Sequence, residues 1–292
     1  MLGSDLKLEV ALPFGVPDGR GRRARGAVVV PVNGRGEMLG AEEPNPFRAA
    51  LLLLASSTER IGPFRGDDVD VGLLGSLLPV DRDMLLVQLN RLTFGNVRFQ
   101  TVACPAAGCG KRVDVQLDLS TVAPPDVPPE ASGRLSLPDG RDVRYRLPTA
   151  GDQVALHGLP ADELEAAFIE RCVRPAPEGH ARSLGPDEVM SLPSATRAEI
   201  VREMIAASPE LDMTLDLDCV ECGQTFRFVY EPVHSLLSEL RASRPALLKE
   251  VHYLAFYYHW SHGEILSLSR SLRREYLAIL DEELSRPQGG AS

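Results

Sequence analysis

The sequence predicts an α+β chain in which two cysteine-tipped β hairpins are separated by an α-rich insertion and followed by a helical C-terminal region. Three observations predict it. Apolar and polar side chains alternate on both sides of two short cysteine pairs, helix caps and helical spacing fill the segment between the pairs, and the stretch from Ser243 onward keeps one apolar helical face. The chain has 292 residues, 44% hydrophobic and 25% charged, a balance that suits a globular protein and excludes a disordered acidic tail or a disulfide miniprotein. Its longest apolar run, Ala49 to Ala55, is far short of the roughly 20 residues that span a bilayer, so no membrane span is expected. The N-terminus shows no apolar core followed by a small-residue cleavage site, which points to the cytoplasm. A net charge of −10 argues against a protein whose main affinity is for phosphate backbones, because that affinity needs clustered Lys and Arg.

Residues 1–44 read as an N-terminal β segment. Leu6, Leu8 and Val10 alternate with charged residues, and an apolar run covers Val28 to Val32, so two strands are expected around a long turn that begins at Pro17-Asp18-Gly19. Arg20, Arg22, Arg23 and Arg25 lie in that turn. They read as a solvated basic loop, since no helix start follows to cradle an anion. Residues 45–121 hold two helices and the first hairpin. Asn45 before Pro46 caps a helix through Leu54, Gly62 to Pro79 is loop-like, and a second helix opens at Asp81, carries Leu85, Leu86, Leu89 and Leu92, and stops at Gly95.

Residues 122–208 form the α-rich insertion. It opens on a proline-rich stretch ending at Pro129 and continues with a small hairpin, Arg134–Leu137 and Val143–Leu147, around Pro138-Asp139-Gly140. Thr149 with Asp152 opens a short helix, Ala161–Val173 is a longer one, and Ser194 caps another through Ala207. Residues 209–234 carry the second hairpin and residues 235–292 the helical region. There Leu247, Leu248, Val251, Leu254, Ala255 and Tyr258 share a face, Ser261 and Glu264 make a capping box with Trp260 and Ile265 as its staple, and a last helix runs from Arg270 to Leu284 before a frayed Gly289–Ser292 end.

The chemistry lies in the cysteines. Four of the five form two knuckles, Cys104-Pro-Ala-Ala-Gly-Cys109-Gly110 and Cys219-Val-Glu-Cys222-Gly223. Val97, Phe99 and Thr101 precede the first knuckle and Val113, Val115 and Leu117 follow it; Met213, Leu215 and Leu217 precede the second and Phe226, Phe228 and Tyr230 follow it. Two such hairpins are zinc-ribbon-like, with Cys104, Cys109, Cys219 and Cys222 as ligands of one structural zinc ion. A closed shell of four thiolates builds structure and leaves no position for substrate, and zinc binding of this kind contributes on the order of 10 kcal/mol to folding. The competing readings are four reduced cysteines at loop tips or a disulfide within each pair, the latter disfavoured in a reducing compartment. Cys172 stands alone on a helix and reads as a small buried thiol. Gly110-Lys111 fails as a phosphate loop, because Pro105 stands at the first glycine position and Arg112 at the hydroxyl position. GxSxG, HExxH and GxGxxG are also missing, so no enzyme is expected.

Tyr253, Phe256, Tyr257, Tyr258 and Trp260 crowd one short stretch with His252, His259 and His262 interleaved. One helical face cannot hide them all. Tyr253, Tyr257 and Trp260 fall on a different stripe from Val251, Leu254 and Tyr258, so Tyr253, Tyr257, His259 and Trp260 are the candidate partner-binding residues. Packing against the rest of the chain is the plainer alternative. A histidine metal site is disfavoured by the helix start between His252 and His262.

Several phrases, in order, resemble the baseplate hub assembly family of T-even-type phages and of phage-tail-like contractile injection systems. They are Leu78-Pro-Val-Asp-Arg-Asp-Met-Leu-Leu86, Leu92-Thr-Phe-Gly95, the two knuckles, Leu147-Pro-Thr-Ala-Gly-Asp152 and Glu250-Val-His-Tyr-Leu-Ala-Phe-Tyr-Tyr-His-Trp-Ser-His-Gly-Glu-Ile-Leu266. The resemblance implies a non-enzymatic assembly chaperone or structural component of a baseplate or hub, whose partners are other tail and baseplate proteins. It places the protein in a bacterial host or producer cell, or within a tail-like particle, and lays the family's cysteine pattern on Cys104, Cys109, Cys219 and Cys222. The alternative is a zinc-ribbon nucleic-acid-binding regulator whose stretch from Glu264 to Leu280 is helix-turn-helix-like. Only Arg270, Arg273 and Arg274 are basic there, which weighs against it.

Overall fold

The computed structural model describes residues 7–20, 22–127, 130–175 and 183–286, and its architecture is mixed α and β with several small sheets. Leu6, Pro129 and the Gly289–Ser292 end lie outside the described residues. Strand β1 (Leu8–Pro17) pairs antiparallel with β2 (Arg23–Val29). The expected long turn is therefore short, and Arg23 and Arg25 belong to a strand. The cause is remote in sequence. At a bulge between Ala11 and Val16, the amides of Phe14 and Gly15 donate to the Asp81 carboxylate at 2.7 and 3.0 Å, and the Arg23 guanidinium covers the Phe14 ring at 3.7 Å.

Past β2 the chain turns at Asn33 into helix α1 (Gly34–Glu42), which the sequence reading missed. Asn33 caps it, its side chain accepting from the Gly36 amide at 2.9 Å. Its glycines conceal it from pattern reading, yet they serve packing: a Cβ on Gly40 would come within 2.9 Å of Leu240. Helix α2 (Pro46–Ser57) begins as expected from the Asn45 cap. Strands β3 (Thr58–Ile61) and β4 (Phe64–Arg65) complete a four-stranded sheet in the order β1-β2-β3-β4. The stretch read as a loop contains β4 and a short helix α3 (Val71–Gly75), capped by Asp70. Helix α4 (Pro79–Phe94) starts at proline in its first turn, two residues before the expected Asp81.

The first cysteine hairpin is β5 (Val97–Ala103) with β6 (Arg112–Asp118). In the insertion, β7 (Ser132–Ser136) and β8 (Asp142–Arg146) form the expected hairpin, and helices α5 (Ala150–Leu156) and α6 (Ala161–Cys172) follow, α5 behind its Thr149–Asp152 capping box. A two-residue strand β9 (Ser183–Leu184) joins β8 in parallel, and helices α7 (Pro186–Met190) and α8 (Ser194–Ala206) close the insertion. Its core gathers Val143, Ile169, Cys172, Ile200 and Met204 around Phe14 from β1.

The second cysteine hairpin is β10 (Thr214–Asp218) with β11 (Thr225–Val229). Helix α9 (Pro232–Tyr258) then packs its first turns, through Leu236, Leu237 and Leu240, into the main core with α2 and α4. Helix α10 (His262–Ser267) starts from the expected Ser261–Glu264 box, and α11 (Arg270–Ser285) returns along α9. No helix among the described residues is long and apolar enough to cross a membrane.

Candidate metal centre

Each hairpin brings its knuckle to one end. β5 and β6 pair in register from Val97↔Asp118 to Ala103↔Arg112, and β10 and β11 from Thr214↔Val229 to Asp218↔Thr225. Their facing sides, Val115 and Leu117 from the first hairpin and Leu215, Leu217 and Phe228 from the second, share a small core with Val87, Met213 and Tyr230. The alternation in β5 is real but turned over. Phe99 points outward and is 71% exposed, while Arg98 pairs with Glu239 and Gln100 donates to the Ser235 hydroxyl at 2.5 Å, both on α9. Polar contacts to a helix more than a hundred residues away decide that face.

At the tips the four sulfurs converge, all within 4.8 Å of one another, and all four cysteines are free thiols. The close approaches run between the knuckles: Cys104 Sγ to Cys222 Sγ is 3.7 Å and Cys109 Sγ to Cys219 Sγ is 3.8 Å. A tetrahedral ion with bonds of about 2.3 Å to sulfur has ligand-to-ligand edges of about 3.8 Å. Cys104 and Cys219 are buried and Cys222 reaches solvent. Glycines make the turns possible: Gly110 and Gly223 follow the second cysteine of each pair with φ of 56° and 71°, the left-handed region that favours glycine.

Backbone amides point at the sulfurs. The Ala106 amide favours the Cys104 thiolate, but burial and the three neighbouring sulfurs push its thiol up to about 12. The Lys111 amide acts likewise on Cys109, which burial and sulfur neighbours nevertheless raise. Cys219, with the Cys222 and Glu221 amides on its sulfur, falls to about 7. Crowding the sulfurs thus favours the Cys219 thiolate at the expense of Cys104 and Cys109, and a divalent cation at their centre would stabilise all the thiolates it binds. The donor set fits a soft-ligand, tetrahedral ion.

Among the described residues, the four cysteines are the one group of three or more His, Cys, Asp or Glu close enough to share an ion, and the histidines around α10 do not converge. Cys172 is fully buried and burial pushes its thiol up to about 11. The aromatic candidates separate. Tyr253 and Tyr257 are exposed on α9, and so is Phe256, which the sequence reading left out of the contact set although it lies one turn from Tyr253 and next to Tyr257. His259 is exposed and ends α9 in a left-handed conformation, φ 58°. Trp260 is half-buried, stacked on Tyr258 at 5.0 Å and edge-on to Tyr276 at 4.8 Å, so it braces the α9–α11 corner.

A family model described as T4 bacteriophage base plate protein matches residues 64–238, more than half of the chain, from β4 through the second knuckle into α9. No curated protein and no solved structure matches.

Proposed function

The chain belongs to the T4 bacteriophage base plate protein family, and from that membership we propose that it is a non-enzymatic assembly factor or structural component of the baseplate or hub of a phage or phage-tail-like contractile injection system, held together by a structural zinc ion. Tail and baseplate proteins are its partners. It acts in the producing bacterium's cytoplasm or within the tail-like particle.

One observation carries the zinc reading: sulfurs from knuckles more than a hundred residues apart stand at the spacing of a tetrahedral shell. Four cysteine ligands complete that shell, so the ion joins the two zinc-ribbon-like hairpins and offers no position for a substrate. On this reading residues 1–44, 45–121, 122–208, 209–234 and 235–292 act as successive segments of one scaffold. The metal clasps the second and fourth segments, and the insertion is suspended between them. Tyr253, Tyr257, His259 and Trp260 mark the contact region for partners, with the exposed rings supplying the surface and Trp260 the bracing beneath it.

The regulator reading has lost two of its three cations. Arg273 is fully buried on Glu37 and Glu250 and Arg270 is buried beside Glu37, which leaves the exposed Arg274 as the one arginine of that stretch facing solvent. Residues spent on internal carboxylates do not contact phosphates.

Elemental analysis of the purified chain tests the proposal, together with co-purification from cells expressing tail proteins. One zinc per chain and recovery of baseplate proteins are the expected results. Metal-free protein of unchanged stability would reject the clasp, and a chain that recovers no tail protein would reject the assembly role.

A further inference from the structure

Along the second half of α9, Leu248, Tyr253, Phe256 and Tyr257 lie exposed, Phe256 by 64%. Between Arg241 and Tyr258 the basic residues are Arg241, which donates to the Glu43 carbonyl, Arg244, which pairs with Glu42 at 3.0 Å, and Lys249 beside the rings, and the one carboxylate, Glu250, turns inward onto Arg273 at 2.8 Å. Helix α11 has the opposite character. From Glu275 to Ser285 it holds four carboxylates and no basic residue, and Glu275, Ile279 and Glu282 form a helical row, with Ile279 50% exposed. The contiguous apolar surface of Tyr253, Phe256 and Tyr257 on α9 marks an interaction site. The two faces cannot meet within one chain, because α11 already lies on α9 through its opposite side, where Arg273 and Leu280 are buried.

We propose that the chain self-associates through its C-terminal helices, the aromatic face of α9 around Lys249 in one copy receiving the acidic outer face of α11 around Ile279 from a second copy. Charge chooses the occupant. On a chain of net charge −10, a face presenting Lys249 and no outward carboxylate attracts an acidic helix, and the outer row of α11 is one, with the exposed Ile279 to set against the rings. Aromatic side chains anchor such contacts through buried area, while the charges fix register and exclude like-charged pairings. The inference rests on the reading of the aromatic residues as a contact region and names what covers it; the metal plays no part in it.

Sedimentation of the full chain up to about 100 μM measures it. The wild type is expected to dimerise or assemble further with concentration, and to dissociate in about 0.5 M salt, where ion pairs are screened. Phe256→Asp, Lys249→Glu and the pair Glu282→Lys with Glu283→Lys should each be monomeric with unchanged circular dichroism. Mixing the Lys249→Glu chain with the Glu282→Lys, Glu283→Lys chain restores opposite charge at one contact and should recover association. A monomeric wild type overturns the proposal, as does self-association that ignores reversal of the α11 charges. If such a monomer still captured a tail protein through Phe256, the contact region would stand and the second copy would not.

Discussion

Replacing Arg273 with leucine should destabilise the protein more than almost any other single change outside the cysteines. Its side chain is fully buried where α1, α9 and α11 meet, and three donors are committed: Nε to Glu250 at 2.8 Å, Nη1 to the Leu268 carbonyl at 2.9 Å and Nη2 to Glu37 at 2.5 Å. Leucine fills much of the space but leaves Glu37, only 2% exposed, with no closer cation than Arg270 at 3.8 Å, too far for a hydrogen bond. Stripping one partner from a buried ionic cluster costs about 3–5 kcal/mol, because the carboxylates left behind keep their desolvation penalty. For a chain of this size each kcal/mol moves the midpoint by roughly 2–4 °C, so a fall of around 10 °C is expected in thermal denaturation followed by circular dichroism. The reasoning also predicts coupling. Glu37→Gln in the Arg273→Leu background removes the stranded charge and should recover at least about 1 kcal/mol, whereas alone it should destabilise. A single variant within about 1 kcal/mol of wild type, or strictly additive effects, would refute the claim that charge burial dominates at this corner.

Cys222→Ala should leave three sulfurs and abolish stoichiometric zinc, read by elemental analysis, with a lower melting temperature that chelator treatment of the wild type reproduces; full metal retention would remove Cys222 from the ligand set. Asp152 titrates low. Burial would raise its carboxyl, but Arg146 and the Thr149 amide outweigh that and hold it at about 2. Since an unfolded aspartate titrates near 3.9, this group contributes stability above about pH 4 that is lost as pH falls toward 2, about 1–2 kcal/mol after allowance for solvent screening. Asp152→Asn should flatten that part of the acid stability curve, and an identical slope in both proteins would contradict it. Gly40→Val should cost about 1–3 kcal/mol in urea unfolding, because its first carbon would stand 2.9 Å from Leu240 across the α1–α9 contact; a neutral result would mean that α1 can move aside.

Local signals carried much of the architecture. Asn45-Pro46, Thr149 with Asp152, and Ser261 with Glu264 state helix starts in a few adjacent residues, and the hairpins follow from alternation beside turn glycines. The missing helix α1 shows the limit. Its Gly34, Gly36 and Gly40 read as chain breakers, yet they are small because Leu266, Ser56 and Leu240 press against them. β5 shows another, since period two predicts that faces alternate but not which one meets the protein.

Composition, spacing and capping chemistry act over a few residues, so the chain by itself determined its α+β character, most of its helices and the identity of its four clustered thiols. The tertiary structure decided what depends on distant partners: Asp81 drawing β1 into a bulge, Arg273 closing the corner of α1, α9 and α11, Trp260 turned inward while Phe256 turns out. Above all it decided that two knuckles separated by the whole insertion meet. Linear spacing names possible ligands, but only packing of the two hairpins on one core sets the distance between their tips.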